Sequence, residues 1–121
     1  MDPKRLGDIS RPLDKCLERL GFRPVEKPVT EGSVRIASFA LADDFMFDYT
    51  LDVKRDNDRG QFRSDSDLEL QMNLYYKGEK VSESLSYDRS SANMPAPELM
   101  EEIVNSRISG ELRRTLRQIL G

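Results

Sequence analysis

Phe45, Phe47, Tyr49, Leu51 and Val53 alternate with Met46, Asp48, Thr50, Asp52 and Lys54, and no other feature of the chain restricts its fold as tightly. Successive side chains of a strand point to opposite faces, so this run describes a strand with one face in a core and one in water. The same period returns downstream. Leu68, Leu70, Met72, Leu74 and Tyr76 take the inward positions, and Asp67, Glu69, Gln71, Asn73 and Tyr75 the outward ones. Residues 55–65 between the two runs are charged and contain Gly60, which predicts a loop. A sheet of this kind needs apolar cover on one side only.

Parity extends the sheet in both directions. Tyr76-Lys77-Gly78-Glu79 reads as a hairpin turn, and a two-residue loop at Lys77-Gly78 sets Leu74 against Val81, Leu70 against Leu85 and Leu68 against Tyr87. An odd loop would set leucines against Ser82 and Ser86. The even register places Glu83 on the inner face opposite Met72, an irregularity of the kind found near sheet edges. Upstream, residues 33–41 change apolar face midway, from Val34 and Ile36 to Phe39 and Leu41. A bulge near Ala37-Ser38 would put all four on one side; without it the strand is apolar on both faces.

Helical periodicity flanks the strands. Leu13, Cys16, Leu17 and Leu20 follow i, i+3, i+4, i+7 spacing, with Ser10 as a cap, Pro12 in the first turn and Gly21 as the stop, so a helix is expected over 10–20. Pro24 and Pro28 mark 22–32 as an extended connection. After a linker at 89–97, Leu99, Met100, Ile103 and Val104 form one apolar face and Leu112, Leu116, Ile119 and Leu120 another. Ser109-Gly110-Glu111 between them predicts helices at 98–106 and 110–120, separate or nearly continuous. The expected architecture is one α+β domain over 1–121. It is a two-layer sandwich in which an N-terminal helix and one or two C-terminal helices cover a four-stranded antiparallel meander.

Composition removes several chemistries. The chain has no histidine, which takes away imidazole bases, histidine triads and most zinc, haem and copper sites. Its single cysteine, Cys16, forms no internal disulfide and falls on the apolar stripe of the first helix, where a small thiol packs well. Asp56, Asp58, Asp65 and Asp67 invite a calcium loop, but Gly60 stands at the fifth position counted from Asp56, where the motif needs glycine at the sixth. No metal or other cofactor is expected. No run approaches the roughly 20 apolar residues of a membrane span, and Met1-Asp2-Pro3-Lys4-Arg5 lacks a signal-peptide core, so a cytoplasmic location is expected.

Charge then suggests where a partner would bind. Residues 42–90 hold 7 basic and 12 acidic side chains, whereas the whole chain has a net charge of only −3. Asp48, Asp52, Asp67 and Glu69, with Gln71, Asn73, Tyr75, Ser82, Ser84 and Ser86, gather on the outward sheet face. A solvated face whose charges discourage aggregation accounts for them. So does a platform for a protein with a basic surface, and Tyr75 among carboxylates favours the platform. The expected function is a non-enzymatic protein-interaction module using Asp48, Asp52, Asp67, Glu69, Gln71, Asn73 and Tyr75. In length, low pI and helix-strand order the chain is similar in general character to small dimeric secretion chaperones and to acidic immunity or inhibitor proteins. That likeness transfers no residue.

Two other readings rank below it. Arg113, Arg114 and Arg117 on the last helix could grip nucleic-acid phosphates, although basic residues near a helix C-terminus are also favoured by its dipole. A carboxylate-dependent enzyme would need a pocket holding an acid of raised pKa. Self-association is a separate expectation. If strand 33–41 is apolar on both faces, a second chain would cover its outer side.

Overall fold

The computed structural model describes residues 1–42, 44–60, 63–81 and 85–121, leaving aside the side chain of Leu85. Helix α1 (Pro3–Arg19) is followed by β1 (Arg23–Pro24), β2 (Val29–Glu31), β3 (Val34–Leu41), β4 (Phe45–Asn57), β5 (Asp65–Tyr76), β6 (Glu79–Lys80) and β7 (Leu85–Ser91). The chain closes with α2 (Ala96–Ile103), a π-helical turn (Val104–Ile108) and α3 (Ser109–Leu120). The fold is α+β with a wholly antiparallel sheet. Among the described residues that sheet has seven strands, not four.

The additional strands come from interrupted edges. β1 and β2 both pair with β3, and β6 and β7 both pair with β5, so each outer rim of the β3-β4-β5 core is built in two short pieces. Pro24 and Pro28 hid the first rim from sequence reading. Proline cannot serve a central strand, but an edge tolerates it, and Pro24 pairs there with Phe39. Broken edges also limit pairing with other chains.

Register carries two corrections. No bulge occurs at Ala37-Ser38, because β3 pairs with β4 without a shift from Val34↔Asp52 to Leu41↔Phe45. Ala37 and Phe39 therefore face the core, while Val34, Ile36 and Ala40 take the other side. The shift lies instead between Val53 and Arg55, where Lys54 is the extra residue. It reverses parity and turns Asp56 inward, onto Arg5 of α1, whose guanidinium meets both carboxylate oxygens at 2.8 Å. Both strands run further than the charged composition suggested, so the loop between them is shorter than 55–65.

At the hairpin, Tyr76↔Glu79 pairing and a hydrogen bond from Val81 N–H to the Leu74 carbonyl agree with a two-residue loop. Further along, Leu70 pairs with Tyr87 and Met72 with Leu85, two residues from the parity register. A shift of two preserves the face, so parity could not detect it. Leu85, not Glu83, stands opposite Met72; Ser82, Glu83 and Ser84 lie outside the described residues.

Helix α1 begins seven residues before the expected start at residue 10. Asp2 caps it by accepting a hydrogen bond from Lys4 N–H, Pro3 occupies the first turn, and Pro12 lies inside the helix rather than at its start. Leu6, Ile9, Leu13 and Leu17 form its fully buried stripe. It ends in a Schellman arrangement, with Phe22 N–H on the Leu17 carbonyl, Gly21 N–H on the Glu18 carbonyl and Gly21 at φ +100°.

The C-terminal helices form one continuous rod. Met100, Val104, Ile108, Leu112 and Leu116 are buried at steps of four, and each such step in an α-helix overshoots a full turn by about 40°. The wider π turn takes up that drift and keeps one stripe on the core. All helices lie against the sheet face carrying Phe39, Phe47, Tyr49, Leu51, Leu70 and Met72.

Candidate functional site

With every helix on one side, the opposite face of β3, β4 and β5 is open. The register places all seven residues singled out from the sequence on it. Asp48 stands opposite Asn73, Thr50 opposite Gln71, Asp52 opposite Glu69, Met46 opposite Tyr75, and Asp67 opposite Arg55.

The acidity of this face is partly answered from within. Asn73 Nδ2 donates to Asp48 Oδ1 at 2.9 Å and Ser33 Oγ to Asp52 Oδ1 at 2.7 Å. Lys54 Nζ sits between Asp52 Oδ2 at 2.8 Å and Glu69 Oε2 at 3.6 Å. The hydrogen bond from Lys54, then that from Ser33, holds the Asp52 carboxyl below its ordinary pKa. Asp67 is answered least: its Oδ1 is buried without a hydrogen-bond partner among the described residues, and the facing Arg55 is drawn to Asp65 instead. Asp56, Asp58, Asp65 and Asp67 do not converge. Asp56 and Asp58 both meet Arg5 rather than a shared cation site, Asp58 also accepts from Ser64, and Asp65 accepts from Asn57.

The apolar part of the face is the alternative that the sequence left open for a strand 33–41 without a bulge, with Val34 and Ile36 outward; Val25 and Val29 were not foreseen on it. Val25 (49% exposed), Val29 (59%), Ile36 (45%) and Met46 (41%) are uncovered, with Val29 directly opposite Ile36. Val25, Val29 and Ile36 form one apolar patch at the β3 edge of the face, and Met46 with Tyr75 forms a second across β4 and β5, the Ser38, Asp48 and Asn73 row lying between them. The signal was present in the parity of Val34 and Ile36 once no bulge is allowed.

A second polar group lies beneath α1. The fully buried Tyr49 donates its hydroxyl to Asp14 Oδ1 at 2.7 Å and accepts from Arg35 Nε at 3.3 Å; Ser10 Oγ donates to Asp14 Oδ2 at 3.2 Å. Arg35 Nη2 approaches the same carboxylate at 3.6 Å. Burial pushes the Asp14 carboxyl above its ordinary pKa, against the pull of Tyr49 and Arg35, and burial followed by the Asp14 charge raises the Tyr49 phenol. The oxygens of Asp14 are occupied, and it does not line the cleft described next. The network fastens α1 to β3 and β4.

That cleft, of about 390 Å³, runs between α1 and the C-terminal rod beside the π turn. Of the three arginines singled out from the sequence, Arg113 lines it, whereas Arg114 and Arg117 lie elsewhere on α3. Burial raises the Cys16 thiol in its floor, and the Ser109 hydroxyl and the charges of Arg113 and Arg19 oppose that rise. No helix is long and apolar enough to cross a membrane among the described residues. Comparison with protein families, curated proteins and solved structures found no match to this chain.

Proposed function

We propose that the protein is a non-enzymatic interaction module that holds a protein partner on the open face of its sheet. The reading is carried by the one-sided helix layer, which leaves the outer face of the two longest strands bare, with an apolar edge beside a row of carboxylates and amides. Scattered exposed apolar residues are ordinary on a protein surface. Facing pairs on an open sheet face, Val29 with Ile36 and Met46 with Tyr75, set among polar groups, have the composition of an interface.

The partner surface that fits is apolar where it meets Val29, Ile36 and Met46, and basic where it meets Asp48, Asp52, Asp67 and Glu69. Tyr75 stands opposite Met46 at the hairpin end of the face, and Gln71 and Asn73 offer amide hydrogen bonds. Charge complementarity would set orientation and association rate, and the apolar strip would supply most of the affinity. A second copy of the chain could cover the apolar half, but its own carboxylates add no complementary charge.

The test is affinity capture from lysate with wild-type protein and with Asp48, Asp52 and Glu69 changed to Lys, each checked for folding by circular dichroism. Loss of a partner with the folded variant is the expected result. Equal recovery of the same partners by both proteins would remove the proposal.

A further inference from the structure

The cleft between α1 and the C-terminal rod shares no residue with the sheet face, and its lining is unevenly charged along its length. At one end Arg11 is paired with Asp8 at 2.8 Å, and Glu98 and Glu101 of α2 face the opening. At the other end Lys15, Arg19 and Arg113 line the cleft, the charges of Arg19 and Arg113 both reaching Cys16, and none of the three has an ion pair among the described residues. Lys15 and Arg19 are i, i+4 neighbours of like charge on α1, a pairing that costs a helix stability, and the nearby Glu18 lies outside the lining of the cleft. Pro12, Cys16 and Val104 give the floor an apolar middle, and Leu20 adds apolar surface beside Arg19. The π turn supplies Val104 and ends beside Ser109, and such turns recur at ligand sites because they displace the backbone of one helical turn.

We propose that this cleft binds a small anionic amphiphile, its carboxylate or other acidic head held by Lys15, Arg19 and Arg113 and its apolar body laid over Pro12, Cys16, Leu20 and Val104. The space is within the range of small-molecule sites, and about 390 Å³ admits a chain of roughly ten carbons with its head group. Arginine is suited to the head because its planar fork grips two oxygens of a carboxylate, with Lys15 adding a point charge. Glu98 and Glu101 set the direction. They disfavour a second negative charge at the far end, so the site takes a mono-anion in preference to a dianion of the same length.

Calorimetric titration with decanoate, decanol and decanedioate tests this directly. Decanoate binds most tightly, and each of the other two is weaker by about tenfold or more. Arg19→Gln with Arg113→Gln lowers decanoate affinity by about tenfold or more, whereas Arg117→Gln on the same helix, outside the cleft, leaves it within twofold. These positions are exposed, and circular dichroism confirms that the variants fold. Methyl resonances of Leu20 and Val104 shift on titration, while those of Val29 and Ile36 on the sheet face stay in place. Equal affinity for decanol, unchanged binding by the double variant, or no binding of decanoate at millimolar concentration overturns the proposal.

Discussion

Replacing Tyr49 by Phe removes one oxygen from the interior and keeps the ring stacked on Phe39, whose centroid lies 6.2 Å away. No cavity of consequence opens, so the cost falls on the hydrogen bonds. The hydroxyl gives a 2.7 Å bond to the Asp14 carboxylate and receives a longer one, 3.3 Å, from Arg35. A bond to a charged group contributes about 1.5–3 kcal/mol net, and removing one partner leaves the other to find water. Side-chain exposures of 23% for Asp14 and 15% for Arg35 allow some rehydration, which places the loss in the lower part of that range, about 1.5–2 kcal/mol. With a urea m-value of about 1.5 kcal/mol per molar for a chain of this size, the unfolding midpoint falls by about 1 M. A double-mutant cycle with Asp14→Ala adds the decisive control. If the hydroxyl and carboxylate act through each other, the double variant loses less than the sum of the singles by about 1 kcal/mol. A loss below about 0.5 kcal/mol together with strict additivity would falsify the assignment of this network as the fastening between α1 and the sheet.

Other outcomes follow from local geometry. The native state holds the Asp14 proton more tightly than the unfolded chain does, so this contribution is full below the ordinary value of 3.8 and is lost as pH rises through the elevated folded value. Relative to Asp14→Asn, the wild type therefore loses stability as pH rises above 3.8 in urea titrations, and a pH-independent difference would contradict this. Gly21→Ala puts a Cβ 2.9 Å from Leu41 Cδ1 at φ +100° and costs about 1–2 kcal/mol, whereas Gly110→Ala, in open space on a helix, gains about 0.5–1 kcal/mol. Thermal melts that move in the same direction for both glycines would be inconsistent with these conformations.

Period-two runs made β4 and β5 legible because each strand is buried on one side only, and the hairpin turn at Lys77-Gly78 was legible for the same reason. Where proline sits at an edge, as at Pro24, the residue type that argues against a central strand says nothing against a rim. The extra residue Lys54 lies in a charged stretch, so its reversal of parity left no apolar signature. Arg35 and Asp14 meet only through tertiary packing, one from a strand and one from a helix, and no spacing in the sequence announces such a pair. The seven polar residues of the outer face were readable by alternation alone. Its apolar half depended on whether β3 contained a bulge, which composition could not decide.

The most direct measurement of the central claim uses methionine methyl groups as reporters of the two sides of the same sheet. Met46 lies exposed on the outer face opposite Tyr75, whereas Met72 and Met100 are buried on the helix-covered side. In protein carrying ¹³C-labelled methionine methyls, addition of the captured partner should shift or broaden the Met46 signal and leave Met72 and Met100 where they were. A partner that moves Met72 or Met100 and leaves Met46 untouched would contradict the account, because binding would then occur somewhere other than the open face of the sheet.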